Sequence, residues 1–208
     1  MATRFRRTGI LCVVSGPSGV GKTTLCRNLA QKPGYVYSVS CTTREARAGE
    51  INGADYYFLG KEEFRDRVRR KQFLEHAEVH GHDYGTLKSS VLGLIQEGQD
   101  VLLDLDVQGA AQIRKNRDPL IRAAYVDVFV IPASLVELHR RLSRRGDSNR
   151  VELDLRMDNA RQEMGHWKEY QYCMLSGTPM EDRQTFEMIL EAERRRASRL
   201  SLPGERRR

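Results

Sequence analysis

Ile10–Val14 is apolar at every position, and a glycine-rich turn follows it. A helical pattern then runs from Thr23 to about Gln31, stopped by Pro33 and Gly34. A short run with no polar face suits a strand buried on both sides of a parallel sheet. Comparable runs recur at Asp100–Leu105 and Ala123–Ile131, and Tyr35–Cys41 and Tyr170–Leu175 read as further strands. Spacing of apolar positions predicts helices over Lys61–Arg70, Lys88–Glu97, Ser134–Arg144, Arg156–Trp167 and Glu181–Leu200. Strands alternating with helices imply an α/β fold around a parallel sheet. Between residues 35 and 90 the rhythm breaks. A polar, glycine-containing stretch runs to about Gly60, and Gln72–Val79 alternates toward a turn at His80-Gly81-His82-Asp83. This segment is expected to be an inserted lobe.

Composition narrows the class. The 208 residues suffice for one α/β domain with one or two inserted lobes. No run approaches the roughly 18 apolar residues that span a bilayer, so no membrane partner is expected. The basic start, Met1 to Arg7, leads into a strand and not into a signal-peptide core. Cys12, Cys26, Cys41 and Cys173 are scattered without a Cys-x-x-Cys pair, which argues against a disulfide or zinc framework and for a reducing, cytoplasmic setting. The net charge of +7 resides in the ends: residues 193–208 hold seven Arg against two Glu, and Arg4, Arg6 and Arg7 add to it. Basic termini are usually solvated, so no nucleic-acid partner is expected.

The turn after the first strand is Gly16-Pro17-Ser18-Gly19-Val20-Gly21-Lys22-Thr23, a G-x-x-x-x-G-K-[ST] loop in its required strand–loop–helix setting. Its glycines let backbone N–H groups converge on phosphate oxygens, and the helix N-terminus adds partial positive charge. Lys22 is placed to reach the β- and γ-phosphates and Thr23 to ligate Mg²⁺, with Thr24 completing the nucleotide site. Thus Gly16, Pro17, Ser18, Gly19, Val20, Gly21, Lys22, Thr23 and Thr24 form the expected set for a nucleoside triphosphate, which the resemblance given below makes ATP. The loop by itself specifies nucleotide binding and says nothing of what is done with the nucleotide.

Four further blocks occur in order: Ser38-Val39-Ser40-Cys41-Thr42-Thr43-Arg44-x-x-Arg47-x-Gly49-Glu50; Gly53-x-x-Tyr56-x-Phe58; Phe73-Leu74-Glu75-x-Ala77-x-Val79-x-Gly81-x-x-Tyr84-Gly85-Thr86; and Leu103-Asp104-Leu105-Asp106-Val107-Gln108-Gly109-Ala110. With them the chain resembles the guanylate kinase family over about residues 9–198. The resemblance implies a P-loop three-layer αβα core with a parallel sheet, an inserted GMP-binding lobe and a mobile lid. It divides the chain into a core (about 9–34, 88–140 and 168–200), a GMP lobe (about 35–87), a lid (about 141–167) and basic tails (1–8 and 201–208). The implied reaction is phosphorylation of GMP, and of dGMP, by ATP with Mg²⁺. Monomer and homo-oligomer stay equally open.

Taken bare, Arg44, Arg47, Tyr56 and Tyr84 fit surface charges and core tyrosines as well as phosphate ligands. The resemblance makes them the grip on the acceptor 5′-phosphate, a task suited to bidentate arginine. Guanine presents N1–H and N2–H₂ donors and an O6 acceptor, so its pocket calls for carboxylates and hydroxyls. The resemblance supplies Glu75 and Asp106 as the carboxylates and Ser40 and Thr86 as the hydroxyls, with Gly85 and Gly109 beside them. Periodicity leaves Glu75 open to a solvent-facing reading. Asp104 and Asp106 end a strand, where α/β sheets present ligands; strand-end caps fit them too, while the resemblance puts Asp104 with the magnesium and the acceptor.

Arg140-Arg141-x-x-Arg144-Arg145 and Arg156 suit a solvated basic face, but by resemblance they are the lid, with Arg145 and Arg156 closing on the transferred phosphoryl and Arg141 supporting. Arginines belong there because the transition state spreads charge over the phosphoryl oxygens. The acceptor is a phosphate whose second pKa is about 6, so the chemistry requires no general base. Two departures from the family pattern stand out: Ser176 and Gly177 replace an Asn-Asp pair whose Asn helps hold adenine, and Asn149 and Arg150 replace acidic lid residues. Cys41 adjoins Ser40, so alkylating it is expected to block acceptor binding. Two rival readings are weaker. A regulatory GTPase would share the loop and the D-x-x-G of Asp106–Gly109, but N-K-x-D is absent. A non-catalytic kinase-like module would tolerate a degraded loop, and this one is intact.

Overall fold

The computed structural model describes residues 5–79, 81–143 and 150–202. In chain order its elements begin with β1 (Arg6–Arg7), β2 (Leu11–Ser15), α1 (Lys22–Ala30), β3 (Tyr35–Tyr37), β4 (Cys41–Thr42) and β5 (Tyr57–Phe58). Next come α2 (Lys61–Arg69), β6 (Phe73–Val79), β7 (His82–Leu87), α3 (Leu92–Gln96), β8 (Asp100–Asp104), α4 (Val107–Arg114) and α5 (Pro119–Ala124). The chain closes with β9 (Tyr125–Ile131), α6 (Leu135–Ser143), α7 (Arg150–Met164), β10 (Tyr172–Leu175), α8 (Pro179–Arg194) and β11 (Leu200–Ser201).

Five strands form a parallel sheet in the order β10-β9-β2-β8-β3. Because β2 is central and buried throughout, its alternate residues feed two cores. Cys12 and Val14 pack with Leu25 and Leu29 of α1 and Phe186 and Leu190 of α8. Leu11 and Val13 pack with Ile95 of α3, Ile113 of α4 and Ile121 of α5. This is the expected three-layer αβα arrangement, and the apolar runs are continuous because both faces are covered. Val14 of β2 is level with Asp104 of β8 and Val128 of β9. The phosphate loop and Asp104 therefore emerge together at the carboxyl ends of adjacent strands, beside the point where the strand order reverses.

The predicted strand Tyr35–Cys41 splits in two. Tyr35–Tyr37 pairs with β8 as the edge of the parallel sheet, whereas Cys41–Thr42 joins a second sheet of order β5-β4-β7-β6. Tyr35–Tyr37 thus belongs to the core sheet, where the register Tyr37↔Leu102 holds it, and the second sheet's first strand is Cys41–Thr42. This second sheet has its own apolar cluster of Cys41, Phe64 and Phe73. A further cluster joins α6 to α7 through Leu138, Leu142, Met157 and Ala160.

Two short helices, α4 and α5, escaped the periodicity reading. Their cap chemistry was nevertheless present: Asp106 accepts from Gly109 N, and Asp118 accepts from the Leu120 and Ile121 amides with Pro119 at the first position. The terminal helix starts at Pro179 behind a Thr178/Glu181 capping box and ends at Arg194, six residues before the expected Leu200. The basic ends also differ from expectation. β1 pairs with β11, Arg7 and Arg194 both bind the buried Asp100, and Arg199 is buried against Glu193. The outermost tails, 1–4 and 203–208, lie outside the described residues.

Candidate active site

The loop between β2 and α1 closes against β9. Gly16 has φ 146°, and a Cβ there would stand 2.4 Å from the Val130 carbonyl oxygen, so only glycine fits. Lys22 Nζ donates to the Gly16 and Pro17 carbonyls at 2.6 and 3.3 Å, which folds it over the loop. Thr23 Oγ1 donates to Asp104 Oδ2 at 2.5 Å, and Tyr37 Oη donates to Asp104 Oδ1 at 2.7 Å. Tyr37 sits at the end of β3; burial together with Asp104 pushes its hydroxyl pKa well up, so it stays a donor. Sequence reasoning missed Tyr37 because its partner is 67 residues away.

Across the loop lies a cleft of about 250 Å³. Its wall carries Gly16, Ser18, Gly19, Gly21, Lys22, Thr23, Thr24 and Asp104 on the loop side. On the lobe side it carries Ser40, Arg44, Arg47, Tyr56, Glu75, Tyr84, Gly85 and Asp106. Arg156 reaches it from α7. Residues scattered over 140 positions of sequence are thus gathered into one space.

Arg44 is fixed before any ligand arrives. Its guanidinium pairs with Glu50 Oε1 at 2.8 Å and lies over the Tyr56 and Phe58 rings at 5.4 and 5.8 Å. Glu50 Oε2 also accepts the Arg47 amide, and the hydrogen bond from Arg44 holds the Glu50 carboxyl below its usual range. The Tyr56 and Tyr84 rings meet edge to face at 5.9 Å. Glu50 is the second residue that the sequence reading left without a role.

Deeper in, β6 and β7 pair Glu75 with Thr86. A register shift between Phe73 and Glu75 turns the Glu75 side chain inward, where it is 4% exposed. This settles the solvent-facing alternative against itself. Glu75 Oε1 and the fully buried Thr86 Oγ1 have no hydrogen-bond partner among the described residues. Burial, with Asp106 adding to it, pushes the Glu75 carboxyl up to about 7. Beneath it Gly109 provides space and no contact surface: a Cβ there would stand 2.6 Å from Glu75 Oε2. Asp106 caps α4 through Gly109 N at 2.9 Å while still lining the cleft, so the cap reading and the site reading of this residue coexist.

Some expected residues do not line the cleft. Val20 is buried under the loop, and Pro17 contributes its carbonyl to Lys22. Arg141 is held away from the cleft by Glu137 Oε1 at 2.8 Å and by the Val20 carbonyl at 3.1 Å, so it braces the back of the loop. Arg145 lies outside the described residues. Glu163 of α7, not anticipated from sequence, faces Lys22 at the cleft wall. Ser176 and Gly177 are tied into the start of α8 by Asp182, at 3.0 and 2.6 Å. Cys41 is wholly buried and its thiol is pushed up to about 11, chiefly by burial, so alkylation there is disfavoured.

Among the described residues no cluster of three His, Cys, Asp or Glu could hold a metal by itself. The Thr23 hydroxyl and the Asp104 carboxylate are hard oxygen donors meeting at the loop. They fit a magnesium ion that draws its remaining ligands from water and phosphate. No helix among the described residues is long and apolar enough to cross a membrane.

A family model for guanylate kinase matches residues 8–192. A guanylate kinase of Clostridium tetani (strain Massachusetts / E88) is 38% identical over 192 residues, covering 92% of this chain and 90% of the relative. One of Paramagnetospirillum magneticum is 41% identical over 199 residues, covering 95% and 91%. The crystal structure of guanylate kinase from Anaplasma phagocytophilum superposes with a TM-score of 0.80 at 32% identity, covering 95% of this chain and 92% of that one. With a glycine-rich loop facing the second sheet across one cleft, and with these relatives matching nearly end to end, the chain belongs to the guanylate kinase family.

Proposed function

We infer that this chain transfers the γ-phosphoryl group of ATP to GMP, yielding ADP and GDP, and that dGMP is a second acceptor. One observation carries the base assignment: a buried carboxylate oxygen and a buried hydroxyl, Glu75 Oε1 and Thr86 Oγ1, have no hydrogen-bond partner among the described residues and stand opposite the phosphate loop. Leaving two such groups unpaired costs about 1–3 kcal/mol each, and guanine's donor edge and O6 would satisfy them. Adenine would turn a lone pair toward Glu75 and leave the deficit in place. Sites built this way reject the wrong partner by roughly 10⁴-fold.

The rest of the cleft fits the same reading. Arg44, Arg47, Tyr56 and Tyr84 hold the acceptor 5′-phosphate, with Arg44 preset by Glu50 and the aromatic rings. The loop amides and Lys22 hold the donor phosphates. Thr23 and Asp104 would hold Mg²⁺, which when bound neutralises charge between the donor phosphates. Arg156, with Arg145, meets the transferred group. The acceptor phosphate is already ionised, so catalysis is positioning, charge neutralisation and exclusion of water. The setting is cytoplasmic, and nucleic acid plays no part.

A coupled assay with GMP, dGMP, AMP, CMP and UMP, each with ATP and Mg²⁺, tests the reading. GMP and dGMP should turn over and the others should lag by at least ~10³-fold. Folded protein that ignores GMP overturns it. Lys22→Ala should lower turnover by about 10³-fold or more, since it removes a fixed charge from the phosphates.

A further inference from the structure

Arg27 lies one turn after Thr23 on α1, so the two side chains share a face of the helix that follows the phosphate loop. Its guanidinium stands between two groups of residues. On one side it lies over the Tyr37 ring at 5.2 Å, and Tyr37 donates to Asp104, the carboxylate that also takes the Thr23 hydroxyl. On the other side it reaches out of the core. Nη1 donates to Asp55 Oδ1 at 2.8 Å, and Nη2 donates to the Ala54 carbonyl at 3.0 Å.

Both acceptors belong to a turn that is braced internally. Asp55 Oδ2 takes the Ile51 amide at 2.8 Å, the Ile51 carbonyl takes the Ala54 and Asp55 amides, and the Gly53 amide donates to the Tyr56 carbonyl. Asn52 Oδ1 takes the Phe58 amide, and the Tyr57 amide donates to the Ser40 carbonyl, so the turn is continuous with the second sheet. Tyr56 follows directly and lines the cleft. At the other edge of that sheet, the Gln112 side chain of α4 exchanges two hydrogen bonds with the His76 backbone of β6. The second sheet is therefore tied to the core at both edges, at β6 by α4 and ahead of β5 by Arg27. A partly exposed ion pair adds little to stability. This one nevertheless joins the helix behind the phosphate loop to the turn that carries Tyr56.

We propose that Arg27 is a positioning residue: by gripping the 51–55 turn it holds the second sheet, and Tyr56 with it, at a fixed reach from the phosphate loop. The proposal rests on the kinase reading above. Arg27 does not line the cleft; what it sets is the distance between acceptor and donor.

Steady-state kinetics with GMP and ATP, beside urea unfolding, test it. Arg27→Ala should lower kcat about 10- to 100-fold, the loss expected when reacting groups are misplaced by about 1 Å. The KM for GMP should stay within about threefold, because the acceptor residues keep their places within the second sheet. The urea midpoint should match the wild type. Arg27→Met keeps an apolar stem over Tyr37 without the donors and should resemble the alanine variant. Arg27→Lys keeps the charge but cannot bridge the carboxylate and the carbonyl together, so it should fall between. Adding Asp55→Asn to Arg27→Ala should cost under about threefold more, because both remove one tie. Unchanged kcat in Arg27→Ala, wild-type kcat in Arg27→Met, or multiplicative loss in the double variant would each overturn the proposal. A distance measurement reads the tie without catalysis. Nitroxide labels at the exposed positions Gln31→Cys and Glu62→Cys, in a Cys173→Ser background that leaves buried cysteines only, report the span between α1 and α2 by pulsed electron resonance. The distribution should be narrow with Arg27 present and broad in Arg27→Ala and Arg27→Met; identical distributions overturn the proposal. Wild-type protein inert toward GMP would instead overturn the kinase reading, leaving the distances to decide the tie.

Discussion

Two glutamates are almost equally buried and live in opposite surroundings. Glu193, 1% exposed, accepts from the Tyr172 hydroxyl at 2.6 Å and from Arg199 at 2.9 Å. Burial alone would raise its carboxyl, but Tyr172 and Arg199 outweigh burial and hold it below the usual range. Glu75, 4% exposed, faces Asp106 and an unpartnered Thr86 hydroxyl, and burial pushes it up to about 7. Asp100 repeats the Glu193 pattern, taking Arg7, Arg194 and the Ile10 amide. Burial of a carboxylate therefore carries two meanings. Where the fold supplies the partners the group fastens chain ends to the core; where it withholds them the partner must come from outside.

The contrast breaks most visibly on the structural side. Glu193→Ala should cost about 3–5 kcal/mol in urea unfolding, because it leaves the Arg199 guanidinium buried and uncompensated. Its KM for GMP should stay within about twofold, since Glu193 does not line the cleft. A variant with normal stability and impaired GMP use would erase the distinction. Glu75→Gln should do the reverse. The kcat/KM preference for GMP over AMP should fall by about 100-fold, near 3 kcal/mol, while stability at neutral pH holds or rises. An unchanged GMP/AMP ratio would remove Glu75 from base recognition.

Proton linkage sharpens the same point. The Glu75 carboxyl is raised in the folded, empty protein, to about 7 from an ordinary 4.5. The native state therefore binds more protons than the unfolded chain between those values, and stability falls as pH rises through that window. GMP needs the ionised form. Its KM should drop about tenfold from pH 6 to pH 8 beyond any change seen in Glu75→Gln, which lacks the titrating group. Parallel profiles for the two proteins would contradict the assignment. The smallest expected effect is Thr86→Val. Removing an unpartnered buried hydroxyl should leave stability unchanged or raise it by about 1 kcal/mol while weakening GMP several-fold. A clear loss of stability would mean that Thr86 is already satisfied within the fold.

Much of the scaffold was legible beforehand because it depends on local rules. The apolar runs at Ile10–Val14 and Asp100–Leu105 had to be buried strands, and the loop Gly16–Thr23 had to join one of them to a helix. Short helices such as α5 left only cap residues as their signature, too brief for periodicity to register. The basic C-terminus misled because a charge run looks solvated until its buried acids are known. Glu193 lies six residues before Arg199, yet the pair is enclosed by distant groups: Tyr172 donates to Glu193, and the Ala123 and Tyr125 carbonyls accept from Arg199.

The sequence by itself determined the parallel-sheet core and the phosphate loop and, through resemblance, pointed to residues of which Ser40, Arg44, Arg47, Tyr56, Glu75 and Tyr84 line one cleft. Tertiary structure decided which charged groups are matched and which are left wanting. Tyr37 meets Asp104 because β3 pairs with β8, and Glu75 turns inward at a register shift in β6. Such pairings join residues tens of positions apart, and their energetics depend on burial and distance. Neither quantity exists until the chain has folded.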